Sequence, residues 1–230
     1  MADQDQGQVF YNVDIVMCID GTGSMRPIIE EVKANALTFH EEFQKRMEIE
    51  GKTVDSIRVK IIVFRDYGRD GTDAMVETKF FNLPAENDEF SAFINSIEAF
   101  GGGDIPENGL EAIALALKSD WTTAPGKKRH VVLMFTDAPA LAFGERAGEP
   151  NYPAGMPADL AELGDWWAGM AQLDSTYDPR WGRLIIFAPE ATPWSEMDGW
   201  NKHWYTRSAA GTGLEELDME DVYTILVGSM

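Results

Sequence analysis

Apolar segments of strand length alternate along this chain with stretches in which apolar residues return every three or four positions. The first kind, rich in Val and Ile, predicts buried strands over residues 13–19, 57–64, 131–135 and 184–188. A strand over residues 76–83 is expected to run antiparallel to the one before it, because only a short Gly/Asp loop separates them. An edge strand is predicted over residues 203–208.

The second kind of stretch predicts helices over residues 25–48, 87–99, 105–118, 165–173 and 218–227, with a short helical turn over 193–200. This alternation is typical of an α/β fold, with a mainly parallel central sheet, one antiparallel edge strand and helices on both faces. A flexible segment at residues 1–10 is expected to precede a single domain at 11–230. The Pro- and Gly-rich residues 138–164 predict a long loop with little regular structure.

Aspartates follow two of the predicted strands directly. Asp20 ends the first, with Thr22 and Ser24 at alternating positions of a glycine-bearing loop, and Asp137 follows the fourth. Asp104 comes from a glycine-rich loop between them. Because the carboxyl ends of parallel strands meet at one edge, these oxygens are expected to share a cleft and to hold a hard cation. Few charged ligands favour Mg²⁺, with Mn²⁺ and Ca²⁺ as the alternatives.

Each of these residues also has a purely structural alternative. Ser24 could cap the helix that follows it, and Asp104 could cap its own helix with Pro106 in the first turn. Asp137, which precedes Ala138 and Pro139, could be a turn residue. Their joint placement at one sheet edge favours a binding site over three unrelated caps.

The composition limits the classes of partner and the compartment that are expected for this protein. A net charge of −20, from 39 acidic and 19 basic residues, argues against nucleic-acid and anionic membrane partners. Cys18 is the only cysteine, so an intrachain disulfide is excluded, and it lies in an apolar run where a core position is expected. The polar N-terminus lacks the features of a signal peptide, and no stretch of 18 apolar residues occurs. A cytoplasmic protein is expected.

Three sequence elements resemble a von Willebrand factor type A (VWA) domain. Asp20-Gly21-Thr22-Gly23-Ser24 resembles its D-x-[ST]-x-S element, and Thr136-Asp137 is similar to the family's late aspartate. The run Gly101-Gly102-Gly103-Asp104-Ile105-Pro106-Glu107 is similar to one in an intracellular branch that includes the domain fused to atypical alpha-kinases. The resemblance implies a Rossmann-like sheet and a metal-ion-dependent adhesion site.

In such a domain the cation bridges to an acidic group of a partner protein. The resemblance therefore implies a protein-interaction module whose ion is held by five residues: Asp20, Thr22, Ser24, Asp104 and Asp137. Many members have a threonine in the middle loop, so an aspartate there adds negative charge and weakens the pull of the cation on a partner's carboxylate. The partner is expected on the metal-site face, and no oligomeric state is predicted.

The competing hypothesis is a metal-dependent hydrolase, phosphatase-like, using the same acidic site. No phosphate-binding loop or D-x-D-x-T motif occurs, and His40, His130 and His203 lie outside the aspartate loops. The chain is therefore expected not to be an enzyme.

Two features near the site leave alternatives open. Asp66 has two candidate roles, a contact near the rim of the site or a salt bridge with Arg65 or Arg69. The loop at 141–164 either selects the partner or covers the core.

Overall fold

A twisted sheet forms the centre of the protein. The computed structural model describes residues 10–102, 106–197, 199–201, 203–208 and 210–230. Within these residues the strands are β1 (Phe10–Asp20), β2 (Thr53–Phe64), β3 (Met75–Glu77), β4 (Phe81–Leu83), β5 (Lys127–Phe135), β6 (Gly182–Pro189) and β7 (His203–Ser208). Their order is β3-β2-β1-β5-β6-β7, and β4 also pairs with β2. The predicted α/β fold is confirmed.

The sheet is parallel except at one edge, as predicted. β1, β2, β5, β6 and β7 run in one direction, whereas β3 and β4 lie antiparallel to β2. The prediction of one continuous strand over residues 76–83 was wrong, because the edge is split. Residues 60–61 of β2 face the three residues 78–80, so one extra residue bulges out. The Thr78 hydroxyl accepts the Ile61 amide at 2.9 Å in place of a backbone carbonyl.

Seven α-helices surround the described sheet: α1 (Arg26–Asn35), α2 (Phe39–Ile49), α3 (Tyr67–Asp70), α4 (Asn87–Ser96), α5 (Gly109–Leu117), α6 (Leu160–Ala168) and α7 (Met219–Gly228). The prediction of one helix over residues 25–48 was wrong. A short 3-10 turn, Gly23–Met25, opens it, and the chain breaks between α1 and α2. At the break the Asn87 side chain donates to the Leu37 carbonyl at 2.9 Å, and Asn35 donates to the Glu31 carbonyl at 2.8 Å. Such side-chain bonds compete with continuation of the helix.

The remaining helices differ from the predicted helices mainly at their ends. α6 begins five residues before its predicted start and ends at Ala168, where Gly169 follows in the left-handed conformation with φ of 72°. The Asp159 carboxylate accepts a hydrogen bond from the Glu162 amide at 2.9 Å and so caps the start of α6, which lies inside the predicted loop. α4 ends at Ser96, three residues before its predicted end, and α5 begins four residues after its predicted start. α7 is confirmed, and the Asp218 carboxylate caps it.

Helices pack on both faces of the sheet because side chains alternate along β1. Val13, Ile15, Met17 and Ile19 face the core beneath α1, α2, α4 and α7. Val16 and Cys18 face the core beneath α5 and α6. Residues 1–9 of the predicted flexible segment lie outside the described residues, and Phe10 already belongs to β1. In the described chain, no helix is both long and apolar enough to cross a bilayer.

Candidate functional site

The candidate site lies where three neighbouring parallel strands end. Asp20 is the last residue of β1, opposite Phe64 at the end of β2, and Ile19 lies opposite Phe135 at the end of β5. Thr136 and Asp137 follow β5 and therefore arrive beside Asp20. The sheet buries Asp20 completely, at 0 % exposure.

Both carboxylate oxygens of Asp20 accept hydrogen bonds from the surrounding loops. The backbone amide and the hydroxyl of Thr22 donate to Oδ1 at 2.9 and 2.7 Å. The Thr136 hydroxyl donates to Oδ2 at 2.7 Å. The glycine-bearing loop thus folds back over the strand end, as its sequence predicted, and Thr136 adds a hydroxyl that the predicted ligand set lacked.

Ser24 connects the first loop to Asp137. Its hydroxyl donates to Asp137 Oδ1 at 3.0 Å and lies 3.5 Å from the Thr22 hydroxyl. The Gly213 amide donates to Asp137 Oδ2 at 2.9 Å. The structure therefore brings Asp20, Thr22, Ser24 and Asp137 together, whereas Asp104, the fifth predicted ligand, lies outside the described residues.

The loop after β1 is built against Arg65. The guanidinium group donates to the backbone carbonyls of Gly21, Asp73 and Glu98 at 2.8–2.9 Å. A Cβ atom added to Gly21 would lie 2.6 Å from Arg65 Nη2 and 2.7 Å from Val63 Cγ1. The close approach of backbone and guanidinium therefore requires glycine at this position.

Burial dominates the electrostatics of Asp20. It raises the pKa of this carboxyl to about 6, against the hydrogen bonds from Thr22 and Thr136, which lower it. The negative charge of Asp137 raises the pKa further. A cation at the site would stabilise the charged form and remove this conflict.

A buried glutamate that was not among the predicted site residues lies beside the cluster. Glu107 is 2 % exposed, and its Oε2 has no hydrogen-bond partner among the described atoms. Its backbone pairs with the segment after Asp137: its amide donates to the Pro139 carbonyl at 3.0 Å, and the Leu141 amide donates to its carbonyl at 2.8 Å. Burial, and then the charges of Asp20 and other nearby carboxylates, raise its pKa to about 9.

The loop after Asp137 also reaches the site through Arg146. Its Nε and Nη2 donate to Asp66 Oδ1 and Oδ2 at 2.6 and 2.8 Å. Burial alone would raise the pKa of Asp66, but the bonds from Arg146 hold it below its ordinary value. Neither expected partner, Arg65 or Arg69, makes this bidentate pair. Arg146 thus ties this loop to the residue that follows the end of β2 by two positions.

The oxygen atoms present fit a hard divalent cation better than a softer metal. Two carboxylates and two hydroxyls converge, which are the ligand types of Mg²⁺ and Ca²⁺. Over the described residues, no group of three or more His, Cys, Asp or Glu side chains is arranged to hold a metal. An ion here would therefore rely on hydroxyls and water as well as Asp20 and Asp137.

Known proteins share this architecture. A curated relative, the alpha-protein kinase vwkA of Dictyostelium discoideum, is 28 % identical over 165 residues, which are 72 % of this chain and 24 % of that protein. The chain thus spans about a quarter of the length of this relative. The pilus adhesin SpaC of Lactobacillus rhamnosus GG superimposes with a TM-score of 0.53 at 10 % identity, over 94 % of this chain and 31 % of that one.

The sequence profile described as von Willebrand factor A domain matches residues 14–145, from β1 through Asp137 and into the loop that carries Arg146. This match covers more than half of the chain and contains the four converging residues. The protein belongs to the von Willebrand factor A domain family.

Proposed function

We propose that this protein is a metal-dependent protein-binding module. A divalent cation, in the first instance Mg²⁺, is held by Asp20, Thr22, Ser24 and Asp137, with Asp104 from the middle loop. An acidic group of the partner completes its coordination. The observation that carries the proposal is the convergence of four residues, Asp20, Thr22, Ser24 and Asp137. Hydrogen bonds of 2.7–3.0 Å join Asp20 to Thr22 and Ser24 to Asp137, and the two hydroxyls lie 3.5 Å apart.

The site has a closed side and an open side, as a bridging ion requires. Asp20 is fully buried, whereas Ser24 is exposed. Among the described residues of the cluster, the Ser24 side is therefore open to a partner group. Because the protein carries a net charge of −20, an acidic partner is repelled until a cation occupies this face.

Phe100 is the strongest candidate for a partner contact beside the ion. The residue is 42 % exposed, and its ring centroid lies 4.0 Å from the Arg65 guanidinium carbon. Its backbone amide donates to the Gly21 carbonyl at 3.1 Å, so the ring is fixed to the loop that carries the ligands. Exposed, rigidly held aromatic side chains often carry much of the energy of an interface.

The proposal is one of binding rather than catalysis. His130 lies in β5 seven residues before Asp137, roughly 20 Å away along an extended strand. Its Nε2 faces the Thr122 carbonyl at 3.2 Å, so it is placed as a structural residue. A cytoplasmic location, expected from the sequence, is part of the same proposal.

Ion binding is tested by thermal unfolding of the full chain in EDTA and across titrations of Mg²⁺, Mn²⁺ and Ca²⁺. An ion that binds only the folded protein raises the melting temperature with concentration. The rise should disappear in Asp20→Asn. Asp14→Asn is the matched control, because Asp14 is also fully buried in β1 but lies six residues before Asp20 and bonds Arg58. No rise in the parent, or an equal rise in Asp20→Asn, would refute the assignment.

Partner binding is tested by capture from a lysate of the source organism on the immobilised chain. A partner retained in Mg²⁺, released by EDTA and absent from Asp20→Asn would support the proposal. A partner that stays bound in EDTA would contradict the proposal.

A further inference from the structure

A groove runs along the outer face of α6, on the side of the sheet covered by α5 and α6. It has a volume of about 400 Å³ and is lined by α6, Met170, Pro179 and residues 199–201. Pro179 and Asn201 shortly precede β6 and β7, so the groove lies toward the amino ends of these strands. The candidate ion site follows the carboxyl ends of β1 and β5, at the opposite edge of the sheet. The groove is therefore a separate feature of the molecule.

The walls of the groove are fixed by contacts within the fold. The Trp167 indole Nε1 donates to the Asn201 carbonyl at 2.9 Å, which holds residues 199–201 against α6. At the end of α6, a Cβ atom added to Gly169 would lie 2.6 Å from Pro179 Cγ, so the helix end and this proline are in close contact. The groove is thus preformed, as most ligand-binding clefts are.

Gly164 deepens the groove at a position where the fold does not need glycine. It lies in the middle of α6 and does not have a positive φ. A Cβ atom added there would lie 3.5 Å from the nearest atom of Trp200, which is an ordinary contact. Alanine would therefore fit, and it would stabilise the helix relative to glycine. Together with Ala161 and Ala168 on the same face, Gly164 leaves room for another chain to approach α6 closely.

The charges around the groove favour a basic partner. Asp165 is exposed in the groove and forms no ion pair with the described residues. Two segments bound the groove, residues 159–180 and 190–201. Among their described residues, the one Lys or Arg is Arg180, whose Nε and Nη2 donate to the Asp178 carboxylate at 3.0 and 2.6 Å. The acidic residues of these segments otherwise face no local positive charge, so a cationic segment is attracted to this face.

We propose that this groove binds a basic amphipathic helix of a partner protein. An apolar side chain of that helix enters the space beside Gly164, and a Lys or Arg side chain reaches Asp165. Small residues on α6 allow a second helix to pack at short distance, and Trp200 offers an aromatic ring that attracts a cation. Met170, which is 74 % exposed, adapts its flexible side chain to the apolar face of the partner. This binding needs no metal ion, so the inference does not rest on the proposed function.

The test is calorimetric titration of the full chain with a synthetic helical peptide of leucine and lysine that has its leucines on one face. Gly164→Leu fills the groove and should weaken binding about tenfold or more, because the burial of one apolar side chain is lost. Asp165→Asn should weaken binding about fivefold. Glu31→Gln is the matched control and should stay within about twofold of the parent, because it removes the same charge from an exposed position of α1 on the other face of the sheet.

Several results would overturn this inference. It is wrong if the parent does not bind the peptide, if Gly164→Leu binds it as the parent does, or if Glu31→Gln loses as much affinity as Asp165→Asn. Equal binding of the same peptide with glutamate in place of every lysine would refute the role of charge. If Gly164→Leu does not unfold cooperatively in urea, Ala161→Leu, at an exposed position of α6, replaces it with the same expected loss.

Two further readouts locate the peptide on the molecule. The methyl NMR signal of Met170, assigned with Met170→Leu, should shift when the peptide binds, and an unchanged signal would contradict the proposed position. The affinity should be the same in EDTA and in MgCl₂ at matched ionic strength. Binding that is lost in EDTA would place the peptide at the ion site and refute this inference while leaving the proposed function standing.

Discussion

The metal-free protein should lose stability between pH 7.0 and pH 8.5, and Glu107 should cause the loss. Burial raises the pKa of Glu107 from its ordinary value near 4.5 to about 9 in the folded chain. An acid whose pKa is higher in the folded state than in the unfolded state destabilises the fold as the pH rises from the unfolded to the folded value. The window from pH 7.0 to 8.5 lies inside that range.

The magnitude follows from the width of this window. Across it the unfolded chain has already released the Glu107 proton, while the folded chain still holds it. Each pH unit then costs about 1.4 kcal/mol, so 1.5 units cost about 2 kcal/mol of unfolding free energy. This window excludes the titration of His130. Burial lowers the pKa of His130, so its contribution to the free energy of unfolding changes only below about pH 7. Burial raises the pKa of Cys18 above its ordinary 9.0, so its effect begins at higher pH.

The assay is urea unfolding in EDTA at both pH values, with the parent and Glu107→Gln measured together. The parent should lose about 2 kcal/mol, and the variant, which cannot titrate at this position, should change little. Saturating Mg²⁺ should remove the difference, because the ion stabilises the charged form. Equal pH dependence in the parent and in Glu107→Gln would refute the reasoning.

Two further predictions concern the loops around the site. Gly21→Ala should destabilise the fold by about 1–3 kcal/mol, because its Cβ would lie 2.6 Å from the Arg65 guanidinium. In Gly23→Ala the nearest atom to the added Cβ lies 3.6 Å away, so this control should unfold in urea almost as the parent does. Arg146→Met should cost about 2 kcal/mol, because it leaves the buried Asp66 carboxylate with the Gly68 amide but without its bidentate guanidinium partner. Adding Asp66→Asn should recover most of that loss, and an additive double-mutant cycle would contradict the pairing.

The sequence predicted the sheet and the meeting of Asp20 with Asp137, because these depend on a local pattern and one general rule. Apolar runs fix β1 and β5, and parallel strands place Asp20 and Asp137 at the same edge. The hydroxyls of Thr22 and Ser24 then follow from a glycine-bearing loop of fixed spacing. No long-range information is needed for any of these steps.

The errors arose where distant contacts decide the local structure. The break between α1 and α2 depends on Asn87, 50 residues beyond the carbonyl it bonds. The start of α6 was missed although Asp159 and Glu162 have the spacing of a capping box, because proline and glycine dominate the surrounding composition. The pairing of Arg146 with Asp66 spans 80 residues, and no local pattern predicts it.

Glu107 shows why a site residue can escape prediction even inside a recognised motif. Its burial depends on the backbone pairing with residues 139–141, which come 32 residues later or more. In the sequence it follows Pro106 and precedes Asn108, where a glutamate is most simply a solvated residue near a helix start. Only the packed structure shows that Glu107 is buried and close enough to Asp20 and Asp137 for their charges to raise its pKa.

The Glu107 carboxylate near the proposed ion should have opposite effects on the cation and on the partner. The charges of Asp20, Asp104 and Asp137 together already exceed that of one Mg²⁺, so the charge of Glu107 makes the occupied site more negative. At a separation of roughly 7 Å and an effective dielectric constant of about 40, one unit charge changes the interaction with a partner's carboxylate by about 1 kcal/mol, or about fivefold in affinity. At saturating Mg²⁺, Glu107→Gln should therefore bind acetate, the simplest carboxylate probe, about fivefold more tightly than the parent in an NMR titration. Unchanged or weaker acetate binding in the Mg²⁺-saturated variant would contradict this reasoning. It would show that the charge of Glu107 does not weaken the binding of a carboxylate to the ion.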